Sequence, residues 1–320
     1  MISTLPAKSE LIIGIVGPTA TGKTSAAVHL AAAIGGEVIS ADSVSVYRGL
    51  NIGAAKPTHD EQTVTRFHLI DVADPIESFN VACFKALAEQ ALEDIVSRGN
   101  RPIVAGGTGL YFRALLEDFG LTETPRDPTV RDELQQEAER FGTPALHAKL
   151  AEVDSTGARK IHPNDRVRIV RAMEVYRVTG EPISIQQARD AQRRKPRPSI
   201  RFGLTMNRDE LNRKIDARVD AMMLAGLEHE TEQLLQDGAL PGSSALSSLG
   251  YREMVKYLKG NYDRQQAVDE IKKMTRRYAK RQMTWFKADR DLIWLNVEGL
   301  SAKQVSDIIQ DRLQSGICSI

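Results

Sequence analysis

The sequence predicts an α/β protein, a doubly wound parallel sheet with an inserted, mainly helical subdomain. Three observations carry that expectation. Short apolar runs bounded by glycine recur before position 120 and again after 200, alternating with stretches of helical periodicity. A glycine-rich loop stands between the first of these runs and the first helix. From about Pro125 the strand signal stops for about seventy residues and leaves only helical periodicity and charge. The expected organisation is a core of residues 1–120 and 200–320 with C-terminal helices, and an insertion of residues 121–199.

In chain order, Leu11–Val16 reads as a fully buried strand and Lys23–Ile34 as a helix that Gly35 and Gly36 terminate. Glu37–Ala41 is a second short strand with Asp42 at its carboxyl end, and His68–Val72 is a third. Val81–Ser97 is helical, with Leu87, Ala91 and Ile95 at i, i+4 and i+8, and it leads into the strand Pro102–Ala105 and the loop Gly106–Gly109. Ligands of such sheets bind beyond the carboxyl ends of the strands, where Gly17–Thr24, Asp42 and Thr108 fall. Within the insertion, Ile169, Met173 and Tyr176 form one apolar stripe, leaving Arg168 and Arg171 together on another face. Lys195–Pro198 is the return linker, because proline twice in four residues blocks a helix. Arg201–Met206 resumes strand character, Asn207–Glu210 reads as a capping box, and Leu292–Val297 as a late strand.

The chain has 320 residues, 42% hydrophobic and 27% charged, a composition that excludes a wholly disordered, collagenous or fibrous protein. Its formal charge is only +1, but the charge is unevenly spread. Arg159–Arg218 holds 16 Lys/Arg against 7 Asp/Glu, and Glu270–Arg290 holds 8 against 2, so two basic segments stand on an acidic remainder of −14. Two cysteines, Cys83 and Cys318, without CxxC spacing, indicate neither a disulfide framework nor a zinc site. The run Leu11–Val16 is too short for a signal core or a membrane span. A cytoplasmic protein is expected, and without a heptad seam a monomer.

Gly17-Pro-Thr-Ala-Thr-Gly22-Lys23-Thr24 matches the pattern G-x-x-x-x-G-K-S/T, which makes the expected fold P-loop NTPase-like. Here the loop amides from Gly17, Thr19, Ala20, Thr21 and Gly22, around Pro18, would point at phosphate oxygens. The helix dipole, the Lys23 charge and a Thr24 hydroxyl for Mg²⁺ complete the cradle. The loop specifies a phosphate or pyrophosphate and does not say which. A kinase or ATPase would add an acidic Mg²⁺ partner at a strand end and mobile arginines, and Asp42 fits the first of these.

Asp42, however, lies in Ile39-Ser-Ala-Asp-Ser-Val-Ser-Val-Tyr-Arg48, followed by Ile52-Gly-Ala-Ala-Lys-Pro57 and, later, Gly106-Gly-Thr-Gly-Leu-Tyr111. Asn164–Val175, Leu249–Arg252 and Arg277–Phe286 add further strings. Together these resemble the tRNA dimethylallyltransferase (tRNA isopentenyltransferase) family over about Ile13 to Phe286. One departure is Ser45, where many members have glutamine for reading the target adenine. The resemblance implies transfer of a dimethylallyl group from dimethylallyl diphosphate to N6 of the adenosine just 3′ of the anticodon, in tRNAs reading codons that begin with U. An allylic diphosphate ionises readily once the leaving pyrophosphate is stabilised, so dense positive charge matters more than a strong nucleophile. By resemblance, Lys23 and Arg218 meet the diphosphate, Thr108 meets the reacting groups, and Asp42 is the base that N6 requires as it attacks. The adenine must be extruded from the anticodon loop to reach such a site.

The tRNA contacts that the resemblance implies are Asp42, Ser43, Val44, Ser45, Thr108, Arg131, Val167, Arg168, Arg171, Gly250, Tyr251, Arg252, Arg276, Arg277, Lys280, Arg281 and Gln282. Lys272, Arg276, Lys280 and the adjacent row Lys273, Arg277, Arg281 would form a continuous basic ridge for RNA phosphates. Plainer readings stand beside these. A charge run is usually a solvated helix face, Asp42 also suits a metal ligand or a helix cap, Arg168 and Arg171 also suit pairing with Glu174, and Tyr251 and Arg252 also suit a turn. His68 and His162 read as packing or capping groups, and Trp285 and Phe286 as core anchors. Two other functions are compatible with the loop alone, a small-molecule kinase and an ATP-switched RNA-binding module. A prenyltransferase of free adenine nucleotides would need neither the insertion nor the basic segments.

Overall fold

A computed structural model describes residues 11–118 and 127–317. The chain divides into two units, Met1–Leu116 with Arg197–Ile320, and Glu117–Pro196. The expected boundary at 120/121 and Cys318 lie outside the described residues.

The first unit is built on six strands: β1 (Ile12–Val16), β2 (Gly36–Ser40), β3 (Phe67–His68), β4 (Arg101–Gly106), β5 (Ser199–Thr205) and β6 (Leu292–Asn296). All pair in parallel in the order β3-β2-β4-β1-β5-β6. Its helices are α1 (Lys23–Ile34), α2 (His59–Val64), α3 (Val81–Ser97) and α4 (Gly109–Leu116) before the insertion. The insertion contributes α5 (Pro128–Phe141), α6 (Thr143–Val153), α7 (Ser155–Lys160), α8 (Arg166–Thr179) and α9 (Ile183–Arg193). The core resumes with α10 (Arg208–Leu224), α11 (Leu227–Gln236), α12 (Tyr251–Leu258), α13 (Arg264–Phe286) and α14 (Ala302–Ile317).

Alternation along the strands divides the apolar residues between two faces. Ile13, Ile15, Val38, Ile103, Phe202 and Leu204 pack against α1 and α14. Ile12, Val16, Ile39 and Val104 pack against α3 and α4. Helices on both faces of a parallel sheet make the unit doubly wound, as the alternation of strand and helix signals requires. A third cluster joins α10–α13 to the segment Val46–Leu50. The insertion has its own core of Leu134, Leu146, Leu150, Ile169, Val170 and Met173.

The expected third strand His68–Val72 is corrected. Only Phe67 and His68 pair with β2, because Leu69 (φ 64°) and Asp71 (φ 56°) turn the chain into the left-handed region. The capping box at Asn207 is half made: its side chain accepts from Asp209 N–H, while its own N–H donates to Glu298. Phe286 is buried as expected, but Trp285 is 38% exposed, its ring faced by the Arg113 guanidinium at 5.8 Å. The His68 side chain is largely buried. It binds the buried Glu37 carboxylate at 2.6 Å, beside Arg98 and Asn100. Burial pushes the Glu37 carboxyl up, yet these donors outweigh it and hold it at about 2.

Candidate active site

The loop Gly17–Thr24 leaves the carboxyl end of β1 and enters α1, as a phosphate-binding loop must. Gly17 stands at φ 146°, and a Cβ there would meet Leu204 O at 2.5 Å, so the turn seats the loop against β5 in a way only glycine allows. The Thr21 hydroxyl and the Lys23 ammonium both donate to Pro18 O, at 2.8 and 2.7 Å, which curls the loop on itself. Burial, then the neighbouring Arg218, lowers the Lys23 pKa to about 7 against the pull of Asp42. Burial also lowers that of Arg218, again opposed by Asp42. Among the described residues neither cation forms an ion pair. Two cations that disfavour each other's charge, with Asp42 near enough to act on both but paired with neither, are a natural place for an anion.

Asp42 follows the carboxyl end of β2, which is separated from β1 by β4. Its Oδ1 accepts from Val44 N–H at 2.8 Å and Ser45 N–H at 3.2 Å, the local turn expected of an aspartate at a loop start. Thr108 follows β4, and its hydroxyl accepts from Ser43 N–H at 3.0 Å. Tyr278, from α13, hydrogen-bonds Thr108, and burial with the Asp42 charge raises its phenol to about 12. A cavity of about 640 Å³ joins these groups. Its wall includes Thr19, Ala20, Gly22–Thr24, Asp42–Ser45, Gly53–Ala55, Arg218, Gly250, Arg252, Tyr278, Arg281 and Gln282.

The structure therefore gathers Lys23, Thr24, Asp42, Ser43, Val44, Ser45 and Arg218 around one space, with Thr108 immediately behind Ser43. The remaining expected positions separate into classes. Tyr251 is fully buried: its hydroxyl donates to Glu230 at 2.6 Å and accepts from Gly53 N–H at 3.1 Å, a structural role. Glu230 also accepts from the N–H groups of Asn51, Ile52 and Gly53, and so fastens the Gly53–Ala55 wall. Arg252 pairs with the buried Glu253. In the insertion, Arg131 and Arg171 both reach the fully buried Glu174, at 2.6 and 2.8 Å. Arg168 is exposed beside Asp165, and Val167 presents its apolar side chain at 79% exposure.

The basic ridge of α13 is split, correcting the expectation of two continuous rows. Lys272 pairs with Asp220 at 2.6 Å and Arg276 with Asp216, both on α10, while Lys273, Arg277, Lys280 and Arg281 are exposed. Gln282, also on the cavity wall, is 5% exposed and hydrogen-bonded to Thr19 and Gly107. Sequence reasoning missed Tyr278 and Glu230. A signal for Tyr278 existed, since it precedes Gln282 by one turn on the side of α13 that carries buried Thr275, Ala279 and Phe286.

Comparison with known proteins bears on this arrangement. The family model described as IPP transferase matches residues 45–289. The tRNA dimethylallyltransferase of Moorella thermoacetica is 44% identical over 317 residues, covering 97% of each chain. That of Desulforudis audaxviator is 46% identical over 90% of this chain and 92% of its own. Among solved structures, the full-length tRNA isopentenylpyrophosphate transferase of Bacillus halodurans superposes with a TM-score of 0.70 at 39% identity, covering 96% of this chain and 97% of that one. A eukaryotic dimethylallyltransferase captured acting on tRNA gives 0.80 at 26% identity, covering 96% and 80%. With a phosphate loop, an opposing aspartate and a matching fold, the chain belongs to the IPP transferase family, that of the tRNA dimethylallyltransferases.

Proposed function

We propose that the protein transfers the dimethylallyl group of dimethylallyl diphosphate to N6 of the adenosine 3′-adjacent to the anticodon, in tRNAs that read codons beginning with U, releasing pyrophosphate. The observation that carries this reading is that Lys23, Arg218 and Asp42 line one cavity of about 640 Å³. Two cations for a leaving anion and a carboxylate for a proton share one space with room for a substrate. In the step itself, the N6–carbon bond forms as the carbon–oxygen bond to the diphosphate breaks. The bonding electrons leave with pyrophosphate, and the N6 proton passes to Asp42. Because Asp42 Oδ1 is held by two backbone amides, Oδ2 is left for that proton.

Lys23, with its pKa near 7, takes up a proton as the diphosphate arrives, so positive charge is installed where the leaving group needs it. The Thr24 hydroxyl, on the cavity wall at the first turn of α1, is a hard oxygen donor that would hold Mg²⁺ beside the diphosphate. When bound, the ion supplies further neutralisation of the pyrophosphate charge. Exposed Arg277, Lys280 and Arg281 on α13 would meet the anticodon stem-loop, whose adenine enters the cavity extruded. The same reading takes the enzyme as a cytoplasmic monomer whose phosphate loop serves a diphosphate in place of ATP. Among the described residues, no helix is long and apolar enough to cross a membrane.

The test is incubation of purified protein with unmodified tRNA, dimethylallyl diphosphate and Mg²⁺, followed by mass spectrometry of the nucleosides. Appearance of N6-isopentenyladenosine is expected. Consumption of the γ-phosphate of ATP with tRNA unchanged would overturn the reading in favour of a kinase.

A further inference from the structure

The parallel ladder between β1 and β4 ends at the rung Val16–Gly106, and the two loops that leave it carry different halves of the chemistry. One is the phosphate loop; the other is Gly106–Gly109 with Thr108. Beyond the last rung the backbones no longer bond to each other, yet a single side chain from α13 spans them. Gln282 Oε1 accepts from Thr19 N–H at 2.9 Å, and its Nε2 donates to Gly107 O at 2.9 Å. The side chain is 5% exposed, and a Cβ on Gly107 would stand 2.2 Å from Nε2, so the loop is moulded around the amide.

We propose that Gln282 is a positioning residue that holds the phosphate loop at a fixed distance from the Thr108 loop, and thereby holds the diphosphate against the Asp42 wall. The inference rests on the functional reading above. The bridge needs one acceptor and one donor at the end of a three-carbon arm. Glutamine has both, a carboxylate lacks the donor, an ammonium lacks the acceptor, and asparagine is one methylene short. Tyr278, one turn earlier, bonds Thr108 and neighbours Gln282, so one helix fastens both loops. The bridge also commits the Thr19 amide, which therefore serves loop geometry and not the phosphate. Lys280 and Arg281, which immediately precede Gln282, are exposed, so the helix that would receive RNA also sets the diphosphate loop.

The test compares wild type, Gln282→Met and Gln282→Glu in the full-length protein, by calorimetric titration with pyrophosphate and by steady-state kinetics. For Gln282→Met, pyrophosphate affinity falls and the KM for dimethylallyl diphosphate rises, each about tenfold, while tRNA affinity is unchanged. In Gln282→Glu the new carboxyl accepts from Thr19 at any pH but donates to Gly107 only when protonated. Its pyrophosphate affinity relative to wild type therefore recovers as pH falls. Wild-type pyrophosphate affinity in both variants overturns the proposal. So does weakened tRNA binding with pyrophosphate binding intact, which would mark Gln282 as an RNA contact. If Gln282→Met does not fold, a pH-independent affinity ratio in Gln282→Glu overturns it alone. Wild-type protein that binds no pyrophosphate overturns the functional reading, and the proposal with it.

Discussion

Two carboxylates, each near a pair of cations, end in opposite situations. In the insertion, Glu174 is fully buried and saturated: Arg131 and Arg171 both bind one oxygen, and Asp127 N–H donates to the other at 3.2 Å. Burial pushes its carboxyl up, but the two guanidiniums prevail and its pKa is lowered. In the core, the hydrogen bonds that Asp42 accepts among the described residues come only from backbone amides, through one oxygen, and it shares a cavity with Lys23 and Arg218. A carboxylate neutralised by direct guanidinium contact stabilises a fold; one positioned by amides keeps an oxygen for a proton. The cations differ correspondingly. Those around Glu174 have their counter-charge built in, whereas Lys23 and Arg218 wait for one to arrive.

That contrast can be broken at either carboxylate. The largest expected effect is at Asp42→Asn, which should lower kcat by about a thousandfold with tRNA affinity within about twofold. Filter binding beside single-turnover rates decides it, and equal loss of both would end the base assignment. Glu174→Gln, in contrast, should leave the KM for dimethylallyl diphosphate unchanged and cost about 3 kcal/mol of stability in urea, because two guanidiniums lose their counter-charge. Full stability in this variant would mean that the arginines are held by something other than the ion pairs.

Lys23→Met comes next, with a KM for dimethylallyl diphosphate raised about tenfold. In wild type, the folded pKa near 7 lies below the ordinary lysine value, so the free Lys23 is charged below pH 7 and increasingly neutral above it. Pyrophosphate affinity should thus weaken as pH rises through 7, with proton uptake measurable by titration in buffers of different ionisation enthalpy. Lys23→Met should show neither. The smallest effect is on the surface. Neutralising Arg277 and Lys280 together should reduce the salt slope of tRNA binding by about 1.5, and Arg276→Gln, already paired with Asp216, by much less.

What was legible in the sequence followed local rules. The runs of β1 and β4 are buried, apolar and followed by glycine, and α1 and α3 have the expected bounds, because nothing distant competes with their pattern. His68–Val72 carries the same apolar alternation, but two left-handed residues break it, and no local rule announces them. The phosphate loop, Asp42 and Thr108 were readable since each sits at a strand end that the topology must bring together. The ridge on α13 was not, because Asp216 and Asp220, which neutralise two of its cations, come from a different helix far earlier in the chain. Nor was Gln282, whose meaning comes from two loops 263 and 175 residues away along the chain.

The Glu230 carboxylate, gathering three consecutive backbone N–H groups and a phenol, extends the functional footprint beyond the cavity. In a saturating mutagenesis screen scored by growth, Glu230 would behave like a substrate-contacting position although its role is to shape the wall behind Gly53–Ala55. Tolerance maps of this enzyme will therefore outline two nested shells, and chemistry alone will separate them.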